Sequence, residues 1–304
     1  MSLNLNSISV KMTDELDKAV MQKPVTGFLA DNHLRGKFVG AKTVMIPEMN
    51  VSGLGDYNWD TGFVNGTVSV SATPFTLAMD RGRSFQLDRE DNDESGIAEL
   101  AGQIMGEFVR TQVVPEVDAY VLSKLAGYAA TAKQTVTGTP STGALKMLTD
   151  AIAAAQKTIG YDEELVAFVD GAMWSALQNS TDITRQLMIG DFAKGEINTR
   201  VTSFNGVAIL PVPDSRMKTA FDFYDGTSTG KETGGFAPAA SAKGIGLLLI
   251  PRHAAALIKK TEQVRCFDPE HNPQADAWKL DYRLYYDVVL KDSLKAGIYA
   301  YLHD

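Results

Sequence analysis

The chain has a single cysteine, Cys266, in 304 residues. One thiol cannot form an intrachain disulfide, and such a composition is typical of a protein made in a reducing cytosol. The N-terminal stretch has no apolar run of signal-peptide length. No window approaches the ~20 consecutive apolar residues that a membrane-spanning helix needs. We therefore expect a soluble protein that is made inside the cell and has no membrane partner.

Positive charge is also scarce, since 29 Lys and Arg face 37 Asp and Glu, which gives a net charge of -8. A nucleic-acid-binding surface needs clustered Lys and Arg that displace counterions from phosphates. The balance therefore argues against a protein that binds DNA tightly. The chain is 44% hydrophobic, and its length is enough for one large domain or two ordinary domains with cores of their own.

The motifs of common active sites are missing as well. Residues from Asp91 begin like an EF-hand loop, but the twelfth position is Gly102 instead of the glutamate that calcium requires. Neither an HExxH pair nor a GxSxG nucleophile turn occurs. The histidines are scattered along the chain: His33, His253, His271 and His303. We expect no enzyme activity, no cofactor and no metal site.

The strongest helical pattern follows an acidic cluster at residues 88–94. Ile97, Leu100, Ile104 and Phe108 recur at spacings of three and four, which predicts an amphipathic helix. Pro115 cannot continue a helix without a break, but proline is favoured in the first turn of a new one. Residues 91–130 are therefore predicted to form one long, slightly broken helix, called the spine helix below.

Residues 43–87 show alternation instead, because Val68, Val70 and Ala72 are interleaved with Ser and Thr. This pattern predicts a β-ribbon. Its connecting loop, residues 50–66, places large apolar side chains among Gly, Asn and Asp. Two interpretations remain open. The aromatic residues fold back on their own domain, or the loop projects and another subunit buries its tip, since monomers rarely expose such patches.

The second half of the chain mixes both element types without internal repeats. A Thr/Gly/Pro linker at 131–143 precedes a predicted helix, and Asn205-Gly206 predicts the tight turn of a hairpin at 196–212. Residues 222–243 are predicted to be a surface loop. Further predicted elements are a buried strand at 164–170, a helix at 172–177, a strand at 244–250 and short strands within the last 40 residues. The fold class is α+β with elongated appendages.

Four stretches carry a family resemblance. DRGRSFQLDREDND at 80–93 and EFVRTQVVPEVDAYVLSKLA at 107–126 are similar to the ribbon exit and spine helix of tailed-bacteriophage major capsid proteins. GEINTRVTSFNGVAILPVPDSR at 195–216 and DYRLYYDVVLKDSLKAGIYAY at 281–301 continue the resemblance in the expected order. The chain thus resembles the Hong Kong phage-type capsid fold family over most of its length.

The resemblance implies a division of the chain into five parts. They are an N-terminal arm (1–42), an extended β-ribbon called the E-loop (43–90), the spine helix of a peripheral P-domain (91–130), an axial A-domain (131–254), and a return through the P-domain β region to a terminal strand (255–304). It also implies contact residues between subunits. The candidates are Leu54, Tyr57, Trp59, Phe63, Arg81, Arg83 and Arg110.

By the same resemblance, the chain is a non-catalytic coat protein that assembles in the cytoplasm of a host bacterium. Its copies form hexamers and pentamers of an icosahedral virion head that encloses double-stranded DNA without sequence-specific binding. A portal is implied, and a separate scaffolding protein too, because only about 42 residues precede the ribbon. The alternative with the same fold is an encapsulin-like nanocompartment shell, which holds cargo enzymes instead of DNA.

Covalent cross-linking of the shell gives a first prediction. Some members of the family join subunits through an isopeptide bond from an E-loop lysine, but no lysine lies between Lys42 and Lys124 here. Assembled particles boiled in detergent should therefore run as one monomer band on a denaturing gel. A ladder of covalent multimers would contradict this expectation.

Overall fold

The computed structural model describes residues 24–30, 37–39, 42–88, 97–138, 143–180, 188–193, 198–272 and 275–303. The helices are α1 (Ile97–Phe108), α2 (Val114–Thr131), α3 (Ala144–Ile159) and α4 (Gly171–Gln178). The strands are β1 (Lys37–Val39), β2 (Thr43–Val51), β3 (Val68–Thr76), β4 (Met79–Asp88), β5 (Thr135–Thr137), β6 (Leu165–Val169), β7 (Met188–Ala193), β8 (Asn198–Phe204), β9 (Val207–Pro211), β10 (Phe221–Phe223), β11 (Phe236–Pro238), β12 (Gly244–Pro251), β13 (Ala255–Phe267), β14 (Ala277–Leu290) and β15 (Tyr299–His303).

The spine helix is confirmed. Its irregularity is a π-helical turn and not a break at Pro115. A π-helical turn at Val109–Val113 joins α1 to α2. Pro115 lies in the first turn of α2, a position that proline favours. The π-helical turn inserts extra backbone ahead of the proline, so the helix continues through it. The acidic cluster before α1 lies mostly outside the described residues.

The spine lies between two sheets, and one core joins them. Val121, Leu122 and Leu125 of α2 are fully buried. Their cluster includes Phe168 of β6 and Tyr286 of β14, which belong to the seven-stranded and three-stranded sheets respectively. The spine therefore ties both halves of the molecule to a single hydrophobic core.

The seven-stranded sheet has the order β5-β15-β12-β6-β9-β8-β7. Alternate residues of β6 point to opposite faces, so Phe168 joins the spine side while Ala167 and Val169 pack with α3 and α4. All five residues of β6 are buried, as predicted for residues 164–170. The predicted hairpin is also confirmed, because Asn205 and Gly206 have φ values of 48° and 79° between β8 and β9.

The predicted ribbon divides between two sheets. β2 and β3 pair in antiparallel register over their full length, and β1 pairs with β2. β4 leaves the ribbon and pairs with β14 in the sheet β13-β14-β4. Alternation along a strand does not specify its partner, so sequence reasoning extended the ribbon too far. The short described part of the N-terminal arm packs on the main core, where Phe28 and Leu29 are buried.

Two further expectations are corrected. Of the short strands predicted in the last 40 residues, β15 is confirmed. The other strand is longer than predicted, because β14 has 14 residues and pairs with β13, a 13-residue strand that the sequence reasoning misses. The outer part of β13 is rich in Lys, Glu and Gln, so it lacks a strong strand signal. Residues 222–243 are not only loop, because β10 pairs with β11 there. Phe223 and Phe236 stack with centroids 6.3 Å apart.

Two glycines allow a matched test of backbone conformation. A Cβ at Gly206 meets nothing within 4 Å, yet its φ of +79° disfavours L side chains; Gly206→Ala should therefore cost about 1 kcal/mol of unfolding free energy. Gly127 is helical and equally open, so Gly127→Ala should add about 0.5–1 kcal/mol. Urea unfolding of the dissociated subunit measures both. Equal effects of the two substitutions would refute the assignment of the turn.

Candidate assembly surfaces and the polar hub

The loop at the end of the ribbon, here called the tip loop (residues 52–67), is closed by its own backbone. Ser52 N donates to Thr67 O at 3.0 Å, and Asn58 and Gly62 exchange backbone hydrogen bonds of 3.2 and 2.7 Å. Gly62 has a φ of +79°, which glycine adopts without strain. The amide of Asp60 donates to Asn58 Oδ1 at 2.8 Å. The tip loop therefore has a defined shape without a core of its own.

The predicted aromatic residues of the tip loop lie in solvent. Leu54, Trp59 and Phe63 are 108%, 93% and 87% exposed, and Tyr57 is 56% exposed. The rings of Tyr57 and Phe63 pack edge to face with centroids 4.9 Å apart. In the subunit these exposed side chains do not fold back on the core. Whether another subunit covers them stays a prediction.

The ribbon behind the tip loop has one apolar face. Residues opposite each other on paired strands share a face, and the register places Met49 opposite Val70 and Val51 opposite Val68. All four are 59–72% exposed. The apolar ribbon face therefore comprises Pro47, Met49, Val51, Val68, Val70, Ala72 and Pro74. The other face carries Glu48, Asn50, Ser69, Ser71 and Thr73.

Arg81 lies inside the subunit. Its guanidinium forms a two-pronged ion pair with Glu116 of α2, with distances of 2.6 and 3.1 Å. It also donates to the backbone oxygens of Tyr224 and Gly235, at 2.7 and 3.2 Å. Arg81 thus joins the start of β4 to the spine helix and to the β10–β11 hairpin. These bonds occupy much of the guanidinium. The predicted role of Arg81 in a contact between subunits stays a prediction.

Arg83 and Arg110 differ from Arg81 in their surroundings. Arg83 is exposed, and a Cβ added to Gly226 would lie 3.0 Å from its Nη1. Within the described residues Arg83 forms no ion pair. Arg110 lies on the π-helical turn and binds Glu107, with Nε 3.0 Å from Oε2. Its side chain is 53% exposed, so this pair contributes little to stability.

Asp118 of α2 was not singled out by sequence reasoning, and it is fully buried. The amides of Val25 and Thr26 donate to it at 3.1 Å each, and the Thr26 hydroxyl donates at 2.6 Å. Arg216 Nη1 lies 3.0 Å from Oδ2. Burial raises the pKa of Asp118, while Thr26, Val25 and Arg216 oppose the shift. One carboxylate thus fixes both the N-terminal arm and the segment after β9.

Asp287 of β14 is the second fully buried carboxylate. It accepts hydrogen bonds from the Ala78 amide at 2.9 Å and from the Tyr120 hydroxyl at 2.8 Å, and it forms an ion pair with Lys124. Burial, followed by the nearby Asp287, raises the pKa of Tyr120 far above its ordinary value. Asp287 therefore joins the root of the ribbon to the spine helix.

Together these contacts form the polar hub, defined as Glu116, Asp118 and Tyr120 of α2 with their partners. All three side chains belong to the stretch VPEVDAY that carries the family resemblance. Asp287 belongs to the stretch YYD near the C-terminus. The signal available to sequence reasoning was a polar residue beside the apolar stripe of the predicted spine helix.

A cleft of about 240 Å³ lies beside the hub, between β4, the π-helical turn and the segment 224–235. Its floor is aromatic: Phe85 and Phe108 pack with centroids 5.0 Å apart, and Phe108 and Tyr282 with centroids 5.7 Å apart. Arg83 lies at its rim. Tyr286 also lines it, and the buried hydroxyl of this residue has no hydrogen-bond partner among the described residues. Ligand sites usually enclose about 300–1,000 Å³, so the cleft has the size of a side-chain recess.

Two described side chains with reactive groups, Cys266 and His303, lie in surroundings that favour a structural role. Burial, then the nearby Asp268, raises the pKa of the Cys266 thiol to about 11, so the reactive thiolate is scarce at neutral pH. His303 Nε2 lies 2.8 Å from Asp170 Oδ2, but that carboxylate also accepts from Met173 N as the cap of α4. Among the described residues, no cluster of three His, Cys, Asp or Glu could hold a metal ion. None of the helices described there is long and apolar enough to cross a membrane.

Neither a family model nor a curated protein matches the chain. Solved structures do match, and the fold they share is that of tailed-phage capsid proteins. A chain of Gordonia phage Cozz has a TM-score of 0.60 at 13% identity, over 93% of this chain and 87% of that one. The capsid of cyanophage P-SCSP1u gives 0.56 at 12% identity, over 88% and 85%. The mature capsid of bacteriophage PhiM1 gives 0.53 at 14%, over 86% and 82%.

At these identities the likeness concerns the fold, and it confirms the resemblance seen in the motifs. The chain has the α+β phage capsid fold, with an extended ribbon and a long spine helix. A fold does not by itself determine a function.

The hub gives a prediction about stability. Asp118→Ala leaves Arg216 and two amides without their acceptor, and removing one partner of a buried ion pair typically costs about 3–5 kcal/mol. Glu164→Ala is the matched control: its pair with Arg252 spans 2.8 Å, but Glu164 is 64% exposed, so the loss should stay below about 1 kcal/mol. Denaturant unfolding of the subunit measures both, and similar losses in the two variants would contradict the role of Asp118.

Proposed function

We propose that this chain is the major capsid protein of a tailed phage, a structural and non-catalytic protein that assembles with copies of itself. Its hexamers and pentamers form an icosahedral head that encloses double-stranded DNA in the virion. The phage capsid fold supports the class of protein. Assembly inside the host cytoplasm, with a portal and a separate scaffolding protein, is part of the proposal.

The observation that carries the proposal is the exposed apolar surface of the ribbon and its tip. Of the large apolar side chains that the described structure exposes, all but Val136 and Tyr161 lie between Met49 and Val70. Burying one such side chain contributes roughly 1.5–3 kcal/mol. A patch of this kind on one element marks an interaction site. A two-stranded ribbon is only marginally stable alone. A neighbour that covers its apolar face would add the apolar burial that the subunit core does not provide.

The charge of the chain supports the contents proposed for the shell. A net charge of -8 opposes tight binding to phosphates, so packaged DNA remains free to move against the inner wall. We expect weak duplex binding at physiological salt, without preference for a sequence.

The tip loop gives the test of this function. Replacing residues 53–62 with a short Gly/Ser turn should change the unfolding free energy of the subunit by less than about 0.5 kcal/mol, since exposed residues contribute little. The yield of particles, measured by electron microscopy and light scattering, should collapse. Replacing the exposed loop residues Tyr161 and Asp162 with Gly/Ser is the control and should leave assembly intact.

Two outcomes would contradict the proposal. A loss of several kcal/mol in subunit stability would show that the tip packs on its own domain. A wild-type chain that stays monomeric at all concentrations, even with its scaffold supplied, would argue against a capsid protein. Small, uniform closed particles formed without a scaffold would favour the nanocompartment shell instead.

A further inference from the structure

The subunit carries two unlike surfaces that complement each other, the tip loop and the cleft. The tip loop presents Trp59 at 93% exposure, flanked by the carboxylates of Asp56 and Asp60. Between Lys42 and Arg81 the sequence contains no lysine or arginine, so nothing on the ribbon neutralises these charges. The cleft presents an aromatic floor, and Arg83 stands at its rim.

Arg83 is the cation in the cleft that has no ion-pair partner among the described residues. Arg81 and Glu116 bind each other. Asp225 accepts hydrogen bonds from the amides of Thr227 and Ser228, at 3.0 and 2.9 Å. Arg83 forms no such pair within the described residues, and the buried hydroxyl of Tyr286 is also unpartnered there. The cleft therefore offers a cation at its rim beside an apolar floor.

We propose that the cleft receives the tip loop of a second copy of this chain, with Trp59 against the aromatic floor and the tip carboxylates beside Arg83. This inference rests on the proposed function and names the acceptor site for the tip. Indole is a large apolar ring, which matches the aromatic floor of Phe85, Phe108 and Tyr282. The size of the cleft suits one such side chain better than a cofactor.

The length of the ribbon requires the tip to come from another copy. β2 and β3 have nine residues each and pair without a bulge, so they carry the tip about 30 Å from the root of the ribbon at ~3.3 Å per residue. Arg83 lies near the start of β4, close to that root. The contact is thus head to tail between unlike surfaces, the geometry that closes into rings.

Charge exchange tests the contact under conditions in which the wild-type chain assembles. Arg83→Glu places a third acid against the tip, and the double variant Asp56→Arg/Asp60→Arg places cations against Arg83. Each should lose assembled material about tenfold or more, since like charges across an interface oppose binding. Lys157→Glu makes the same change of charge on the exposed side of α3 and should assemble like the wild type.

Mixing the two variants separates this contact from a general loss of fold. In a 1:1 mixture, the acidic tip of the Arg83→Glu chain meets the intact Arg83 of the double variant. The basic tip of the double variant meets the glutamate that replaces Arg83 in the other chain. Alternating rings should therefore form from two chains that fail alone, as measured by sedimentation. Trp59→Ala should also stop assembly while the subunit keeps its melting temperature.

Normal assembly of Arg83→Glu or of Trp59→Ala, or no rescue in the mixture, would overturn the inference. Those results would leave the proposed function standing, because the wild-type chain would still form particles. Failure of the wild-type chain itself to assemble would instead count against the proposed function.

Discussion

The structure depends on the polar side chains of one stretch of the spine helix. Glu116, Asp118 and Tyr120 each bind a segment that is distant in sequence, namely β4, the N-terminal arm with Arg216, and β14. Buried charged and polar groups are costly without partners. The segments are thereby held in one arrangement around the helix, which apolar packing alone specifies less sharply.

The hub also determines where the rigid subunit ends. The Ala78 amide donates to Asp287, and the Tyr285 hydroxyl donates to Leu77 O at 3.1 Å. Val44, Leu77 and Tyr285 form a small core at this root. Beyond it, the ribbon has exposed side chains on both faces, and only one face is apolar. The root is thus held firmly, while the ribbon's own apolar area gains burial only through a partner.

Sequence reasoning succeeded where one pattern has one structural solution. The apolar stripe from Ile97 to Leu125 and the Asn205-Gly206 turn belong to this class. Sequence reasoning failed where a pattern does not determine which strands pair. The residues of β4 alternate like those of β3, but β4 pairs with β14. The exposure of Trp59 needed the structure, because composition cannot tell a loop that folds back from one that projects. The hub needed it too, since bonds such as that from Ala78 to Asp287 join residues far apart in the chain.

The distribution of charge on the ribbon favours a contact between a tip loop and a different surface over a contact between two tip loops. Two tips placed together would bring Asp56 and Asp60 of both copies into one apolar patch, where repulsion is poorly screened. A tip placed against Arg83, which has no ion-pair partner in the part of the chain that the structure describes, avoids that cost. Discrimination of this kind needs a repulsive element as well as an attractive one. The absence of lysine and arginine between Lys42 and Arg81 thus opposes symmetric pairing of ribbons and leaves head-to-tail association as the favoured mode.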